Sequence, residues 1–113
     1  MLSWDDILEL VHDLPEIENG TSYGTPALKV RGKFMGRLRD EGAVLVVRCD
    51  LDEKPFLLEA NPTTLFTTPH YDGYGAVLVR LDTVQRDELR ELLIDAWLLV
   101  APKKLVDGFG PIQ

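Results

Sequence analysis

Apolar side chains recur at helical spacing near each end of the chain, beside residues that typically cap or end helices. The first stripe comprises Trp4, Ile7, Leu8, Val11 and Leu14. Ser3 followed by Asp6 resembles a capping box with aspartate in place of glutamate, and Pro15 marks the predicted end of the helix. The pattern therefore predicts an amphipathic N-terminal helix with one face directed at a core.

A longer helix is predicted in the C-terminal third of the chain. Its apolar stripe comprises Leu89, Leu92, Leu93, Ala96, Trp97 and Val100. Asp82 or Thr83 is the predicted N-cap of this helix. Leu98 and Leu99 make its last turns apolar on all sides, so we expect this end to be buried or to meet a partner. Residues 109–111 are predicted to form a tail.

Runs of β-branched and apolar residues predict strands between these helices. The runs are Ala27–Val30, Phe34–Leu38, Ala43–Cys49 and Ala76–Leu81. The third run is almost wholly apolar, which is typical of a central strand buried on both faces. Turn-forming residues fill the segment 14–26, which is predicted as a loop, and a short helix is predicted over Glu53–Ala60. This order predicts a single α+β domain over residues 1–113, an antiparallel sheet with helices packed on one face.

The first two predicted strands form a hairpin whose register decides which side chains face the core. The favoured register, with a loop of odd length or a bulge at Gly32, separates apolar from charged residues. It places Leu28, Val30, Phe34, Gly36 and Leu38 inside, and Lys29, Arg37 and Arg39 outside. A strict two-residue turn at Arg31-Gly32 would instead place Lys33, Met35 and Arg37 on the face of Leu28 and Val30.

Positive charge is concentrated in this hairpin, although the whole chain is acidic. The stretch Lys29–Arg39 contains no acidic residue and holds five of the 12 basic residues, namely Lys29, Arg31, Lys33, Arg37 and Arg39. Such clustering predicts a surface that contacts the phosphates of a nucleic acid. The alternative is a solvated face whose charge offsets the six acidic residues that precede it. The net charge of −7 disfavours avid, non-specific binding to DNA, so the expected contact is weak and salt-sensitive.

The segment Pro69–Gly75 is the second candidate site. His70, Tyr71 and Tyr74 lie beside glycines there and could stack on nucleic-acid bases or on another planar ligand. The alternative is that these rings pack on the edge of the sheet beside a turn at Asp72-Gly73.

Residues that carry enzyme or metal chemistry are sparse, so we predict that the protein is not an enzyme and has no metal site and no cofactor. Cys49 is the single cysteine, and the two histidines, His12 and His70, lack the spacing of a zinc motif. No nucleophile lies beside His70 and Asp72 in the sequence. The N-terminus lacks signal-peptide features, and no apolar run approaches the roughly 20 residues of a membrane span, so we expect a cytoplasmic protein without membrane contact.

Short segments along nearly the whole chain carry a family resemblance. They are Leu14–Glu16, Ser22–Val30, Arg31–Met35, Pro69–Gly75, Glu91–Trp97 and Val100–Lys103. In order and spacing they resemble the MmcQ/YjbR-like family of small bacterial proteins. The resemblance implies a YjbR/CyaY-like antiparallel sheet packed by helices, an architecture often compared with double-wing DNA-binding proteins.

The resemblance also implies DNA binding. Taken with the clustered basic residues and the sparse catalytic residues, it predicts a non-enzymatic DNA-binding protein whose basic hairpin contacts phosphates. The alternative function is a protein-interaction or small-ligand-binding module. Such a module would use the Tyr71–Tyr74 loop, or the apolar helix end at Leu98 and Leu99.

Overall fold

A computed structural model of the protein describes residues 1–39 and 42–109. Within these residues it shows one six-stranded sheet and four helices. In chain order they are α1 Trp4–Leu10, β1 Ile17–Ser22, β2 Thr25–Val30, β3 Lys33–Arg39, β4 Val44–Arg48, α2 Lys54–Ala60, β5 Leu65–Phe66, β6 Ala76–Arg80, α3 Arg86–Val100 and α4 Lys103–Phe109. The strands lie in the order β1-β2-β3-β4-β6-β5, and all neighbours are antiparallel. The predicted α+β class with an antiparallel sheet is confirmed.

The larger core lies between one face of the sheet and the helices. The strand residues that form it include Leu28, Val30, Met35, Leu45, Val47, Val77 and Val79. Ile7 of α1 and Leu89, Leu93 and Trp97 of α3 pack against them and are fully buried. Trp4 is half-buried at the edge of this core, so both tryptophans are buried to the extent that their helical stripes predict. We call this side of the sheet the helix face.

A smaller core covers the opposite side of the sheet, which we call the open face because loop residues rather than helices pack on it. The buried members are Val44, Val46, Tyr71, Ala76 and Leu78, with Phe34 and Phe66 against them. The loop 67–75 between β5 and β6 supplies Tyr71. Strand β4 is thus buried on both faces, as its apolar sequence predicts.

The hairpin of β2 and β3 differs from the predicted register. Its turn is the strict two-residue Arg31-Gly32 turn, with φ of 48° and 78°, so the prediction of an odd loop or a bulge at Gly32 is wrong. A bulge lies further along instead, where Leu28 is opposite Gly36 while Lys29 is opposite Phe34. Met35, the additional residue of β3 in this bulge, enters the core of the helix face. Phe34 therefore packs on the open face. The favoured register predicts it inside with Leu28, so that prediction is wrong for Phe34.

Strand β1 lies in a segment that the sequence predicts as a loop. The sequence Ile-Glu-Asn-Gly-Thr-Ser contains residues that disfavour strands, and four of its six residues are exposed. Pairing along the whole length of β2 holds it extended at the edge of the sheet. Tertiary pairing therefore overrides the local preference for turns. The two-residue strand β5 was also not predicted, because such a short run carries no periodicity.

The helix ends differ from the predictions at several points. Helix α1 ends at Leu10, before Pro15, and Gln85 rather than Asp82 or Thr83 precedes α3. Helix α4, which the sequence patterns do not predict, begins directly after Pro102 and ends at Phe109, the first residue of the predicted tail. The Phe109 ring lies 5.3 Å from that of Trp97. Gly110 and Pro111 of that predicted tail lie outside the described residues. None of the helices within residues 1–39 and 42–109 is long and apolar enough to cross a bilayer.

An ion pair ties the segment that follows α1 to α3 and gives stability a pH dependence. Arg90 binds both carboxylate oxygens of Asp13, at 2.7 and 2.9 Å, and these hydrogen bonds lower the pKa of Asp13. Because the folded-state pKa is depressed, the stabilisation is present at neutral pH and is lost as pH falls through the acidic range. We expect Asp13→Asn to lower the free energy of unfolding at neutral pH by less than about 1 kcal/mol, because the pair is partly exposed.

Urea unfolding of wild type and Asp13→Asn at neutral pH and at about pH 3 measures this effect, and the two curves should converge at low pH. Asp107→Asn, which breaks the more exposed pair with Lys103, is the matched control and should change stability less. A difference at about pH 3 as large as that at neutral pH would contradict the assignment.

Candidate nucleic-acid interface

Strand register brings three arginines to the open face. Arg39 pairs with Val44, and Val44 pairs with Arg80 on its other side, so these three side chains form one row across β3, β4 and β6. Arg37 is opposite Val46 in the next row. Since Val44 and Val46 belong to the core of the open face, Arg37, Arg39 and Arg80 share that face.

Arg37 has only neutral partners among the described residues. Its Nη1 donates to Thr25 Oγ1 and to the Leu38 carbonyl, both at 3.3 Å, and its Nη2 donates to Tyr71 Oη at 3.4 Å. Its guanidinium carbon also lies 5.3 Å from the centroid of the Tyr23 ring. These long, neutral contacts position the guanidinium without compensating its charge, which leaves it suited to binding an anion.

The loop 67–75 carries the predicted aromatic residues across the open face to Arg37. Tyr71 is buried, and the rings of His70 and Tyr74 lie edge-on to it at centroid distances of 4.8 and 6.1 Å. Lys54 of α2 is 97 % buried, and its ammonium group donates to the backbone carbonyls of Tyr71 and Tyr74. The buried lysine therefore anchors both ends of the aromatic segment.

Two adjoining cavities lie between the hairpins and this loop. The first has a volume of about 260 Å³ and is lined by Ser22, Tyr23, Phe34, Arg37, His70, Tyr71 and Tyr74. The second has a volume of about 450 Å³ and is lined by Thr25, Arg37, Arg39, Thr68, His70 and Tyr71. Arg37, His70 and Tyr71 line both cavities and so stand at their junction. The basic hairpin and the aromatic loop, predicted as two separate candidates, thus meet in one site.

Tyr23 is a member of this site that the sequence analysis did not single out. It occupies the first position of the two-residue turn between β1 and β2, where its φ is 53°. Its side chain is 91 % exposed. A bulky residue is uncommon at positive φ. Asparagine and glycine are the residues preferred at this turn position. Recognising β1 as a strand would have shown that Tyr23-Gly24 is a hairpin turn.

Arg80 is the second residue that the sequence analysis missed. Its guanidinium carbon lies 4.0 Å from the centroid of the Phe66 ring, and its buried Nη1 has no hydrogen-bond partner in the described part of the chain. The alternation of Ala76, Leu78 and Arg80 along β6 is the signal that places Arg80 on the open face.

The other basic residues of the hairpin occupy different surroundings. Arg31 binds both carboxylate oxygens of Glu16, at 2.8 and 2.9 Å, which lowers the pKa of Glu16 and raises that of Arg31. Lys29 lies directly opposite Glu18 of β1, and Lys33 is exposed beside the turn. The five predicted residues therefore do not form one patch, because the charge of Arg31 is already paired.

A further cavity lies on the helix side, where the end of β4 meets α2 and α3. It has a volume of about 370 Å³, and Leu98 and Leu99, each about 40 % exposed, contribute to its wall. Burial, together with Glu91 and Glu53, raises the pKa of Asp95 at its rim. Burial also raises the pKa of the Cys49 thiol in its wall. Across the described residues, no group of three or more His, Cys, Asp or Glu side chains is placed to hold a metal ion.

The family model described as YjbR matches residues 12–99 of the chain. Uncharacterized proteins of Mycobacterium bovis and Mycobacterium tuberculosis are 36 % identical to this chain over 124 aligned positions. The alignments cover 96 % of this chain and 96 % of each relative. The fold is similar to the crystal structure of Deinococcus radiodurans protein DR2400, a DUF419 domain, with a TM-score of 0.79 and 23 % identity over 99 % of this chain and 91 % of that one. The chain therefore belongs to the YjbR family.

Proposed function

We propose that this protein is a non-enzymatic, cytoplasmic DNA-binding protein that contacts phosphates through the open face of its sheet. The observation that carries the proposal is that three arginines share that face. Among the described residues, Arg37 has only neutral partners and the buried Nη1 of Arg80 has no hydrogen-bond partner. Arg37, Arg39 and Arg80 are the primary contacts, and Lys29, which lies opposite Phe34, flanks them on the same face. Lys33 lies opposite Val30 at the tip of the hairpin and so belongs to the helix face. Guanidinium groups bind phosphate through paired donors, which suits this arrangement.

The acidic net charge limits the strength of this binding. A chain of net charge −7 repels a polyanion at long range, so affinity depends on short-range contacts at one face. Glu16 and Glu18 also offset charge at the outer end of the hairpin, next to Arg31 and Lys29. Binding should therefore be modest and should weaken steeply as salt is raised.

The test compares two double variants that remove the same charge from different places. Arg37→Gln with Arg39→Gln removes two proposed phosphate contacts, whereas Lys103→Gln with Lys104→Gln removes two charges from exposed positions on α4. Titrations of labelled DNA by fluorescence anisotropy over a range of salt concentrations give the salt slope of log K. We expect the arginine variant to bind all sequences more weakly and to lower the slope by about two, one for each lost phosphate contact.

The lysine variant should bind as wild type does, since α4 lies on the other side of the molecule. Equal losses in the two variants would show that net charge alone is being measured. If the wild type binds no nucleic acid at about 50 mM salt, where electrostatic binding is favoured, the proposal is wrong.

A second candidate function is docking of a protein partner at the helix-side cavity. The specific observation in its favour is the exposure of Leu98 and Leu99 beside that cavity. An apolar contact there would be insensitive to salt and to the arginine substitutions. Failure of the wild type to bind DNA in the titrations above would therefore favour this second function.

A further inference from the structure

The size and the lining of the first of the two cavities, which we call the aromatic cavity, bear on the substrate class of the open face. Rings of Tyr23, Phe34 and Tyr74 contribute to its walls, with Arg37 and His70 beside them. Its volume of about 260 Å³ is below the roughly 300–1,000 Å³ typical of sites for drug-sized ligands. Such a cavity has room for one planar ring system. Aromatic walls bind a planar ring by stacking, and an arginine at the margin binds the anionic group attached to it.

The second cavity shows where the rest of such a ligand would lie. It begins at Arg37, which it shares with the aromatic cavity, and extends to Arg39 and Thr68. Arg37 and Arg39 project from the same face two residues apart on β3, a separation of about 7 Å along the strand. A chain of alternating planar and anionic groups could therefore place a ring in the first cavity and its phosphates along the second.

The backbone at Tyr23 supports a binding role for this side chain. The first position of a two-residue hairpin turn with positive φ strongly favours asparagine, aspartate or glycine. Tyrosine at φ of 53° is strained, and 91 % of its surface is exposed, so burial of the ring does not offset the strain. The Arg37 guanidinium carbon lies over the ring, 5.3 Å from its centroid, and a ligand that covered the rest of the exposed ring would add the contacts that offset the strain.

We propose that the aromatic cavity receives one unstacked nucleobase, so that single-stranded nucleic acid is the substrate of the open face. This inference rests on the proposed function, because it assigns the phosphates of the same strand to Arg37 and Arg39. A base within a duplex is paired and stacked on both sides, and it cannot enter a cavity of this kind without leaving the helix. A single strand presents its bases freely to aromatic side chains.

The principal test substitutes Tyr23 by residues that separate turn stability from stacking. Tyr23→Asn introduces a residue that the turn prefers, so the variant should fold at least as stably as wild type. It should nevertheless bind a single-stranded oligonucleotide roughly 5- to 150-fold more weakly, because one base loses its stacking partner. Tyr23→Phe keeps the ring and should restore binding. Phe56→Ala, which removes an aromatic side chain that is 69 % exposed on α2, is the matched control and should change nothing.

Three ligands distinguish the possible sources of the base: a single-stranded oligonucleotide, a duplex of the same sequence and a mononucleotide. We expect the single strand to bind most tightly, the duplex less tightly and the mononucleotide least. Tyr23→Asn should reduce affinity mainly for the single strand and the mononucleotide. Tyr23→Trp provides a direct readout, because a base stacked on the introduced indole should quench its fluorescence.

The outcomes separate this inference from the proposed function on which it rests. If single strand and duplex bind equally and Tyr23→Asn affects neither, the base-binding inference is overturned while phosphate binding by the open face stands. If the mononucleotide binds as tightly as the oligonucleotide, the assignment of a strand as substrate is overturned. If neither single strand nor duplex binds the wild type, the proposed function fails and the inference fails with it.

Discussion

Leu45→Asp is expected to abolish cooperative folding, whereas Val46→Asp, at the next position of β4, is expected to cost less. Both residues are fully buried, but on opposite faces of the sheet. An aspartate at position 45 would lie in the core of the helix face, opposite Leu38 and Val79, where no cation is adjacent across the strands. Burial of an unpaired carboxylate there, with loss of the leucine, exceeds about 5 kcal/mol, which is comparable to the total stability of a small domain.

An aspartate at position 46 would instead lie directly opposite Arg37. The guanidinium would recover part of the desolvation cost, so we expect a loss of about 3 kcal/mol and a folded but weakened protein. Urea unfolding followed by the fluorescence of buried Trp97 measures both changes. Combining Val46→Asp with Arg37→Gln should be more damaging than the sum of the single changes. Equal losses at positions 45 and 46 would show that Arg37 does not reach across to β4.

The regular parts of the fold could be predicted from the sequence because each has a strong local signal. The capping box at Ser3, with Asp6 as its partner, is present as predicted. The apolar stripe of α3 faces the core, and the unbroken apolar run of β4 is a central strand. In each case burial and local preference favour the same conformation, so the pattern and the structure agree.

The elements that were missed are those in which tertiary contacts override local preference. Strand β1 contains turn-forming residues and is held by pairing with β2, and α4 follows a proline and packs Phe109 on Trp97. The bulge at Met35 results from packing, because it lets both Met35 and Leu38 enter the same core. Hydrophobic alternation along β3 alone does not reveal where an additional residue interrupts it.

The candidate site was predicted as parts but not as a whole. Arg37, Arg39, His70 and Tyr71 were identified by their residue type and clustering, yet nothing in their spacing shows that they meet. They meet because the loop 67–75 crosses the open face, and that path depends on a long-range anchor. The anchor is Lys54, a buried lysine that sequence patterns would assign to the surface of α2.

Lys54→Met is expected to loosen the aromatic loop and so weaken ligand binding without touching the ligand. Methionine has a similar length and preserves the packing, but it cannot donate to the carbonyls of Tyr71 and Tyr74. One buried and one partly buried carbonyl then lack their donor. The free-energy cost of leaving them unpaired outweighs the desolvation cost that is saved when no ammonium group is buried. We expect a loss of roughly 2 kcal/mol in the free energy of unfolding. Faster hydrogen exchange at the amides of Tyr71 and Tyr74 should accompany it, since their hydrogen bonds lie within this loop.

The effect of Lys54→Met on binding should differ in kind from that of the arginine variants. Lys54 is 97 % buried and makes no phosphate contact in the proposed mode, so its loss should weaken binding while leaving the salt slope unchanged. Lys104→Met, which removes the same charge from an exposed position, should alter neither stability nor affinity. A change in salt slope equal to that caused by Arg37→Gln would mean that Lys54 reaches the ligand directly. Unchanged exchange at Tyr71 would mean that the packing of its ring in the core of the open face, rather than the lysine, holds the loop in place.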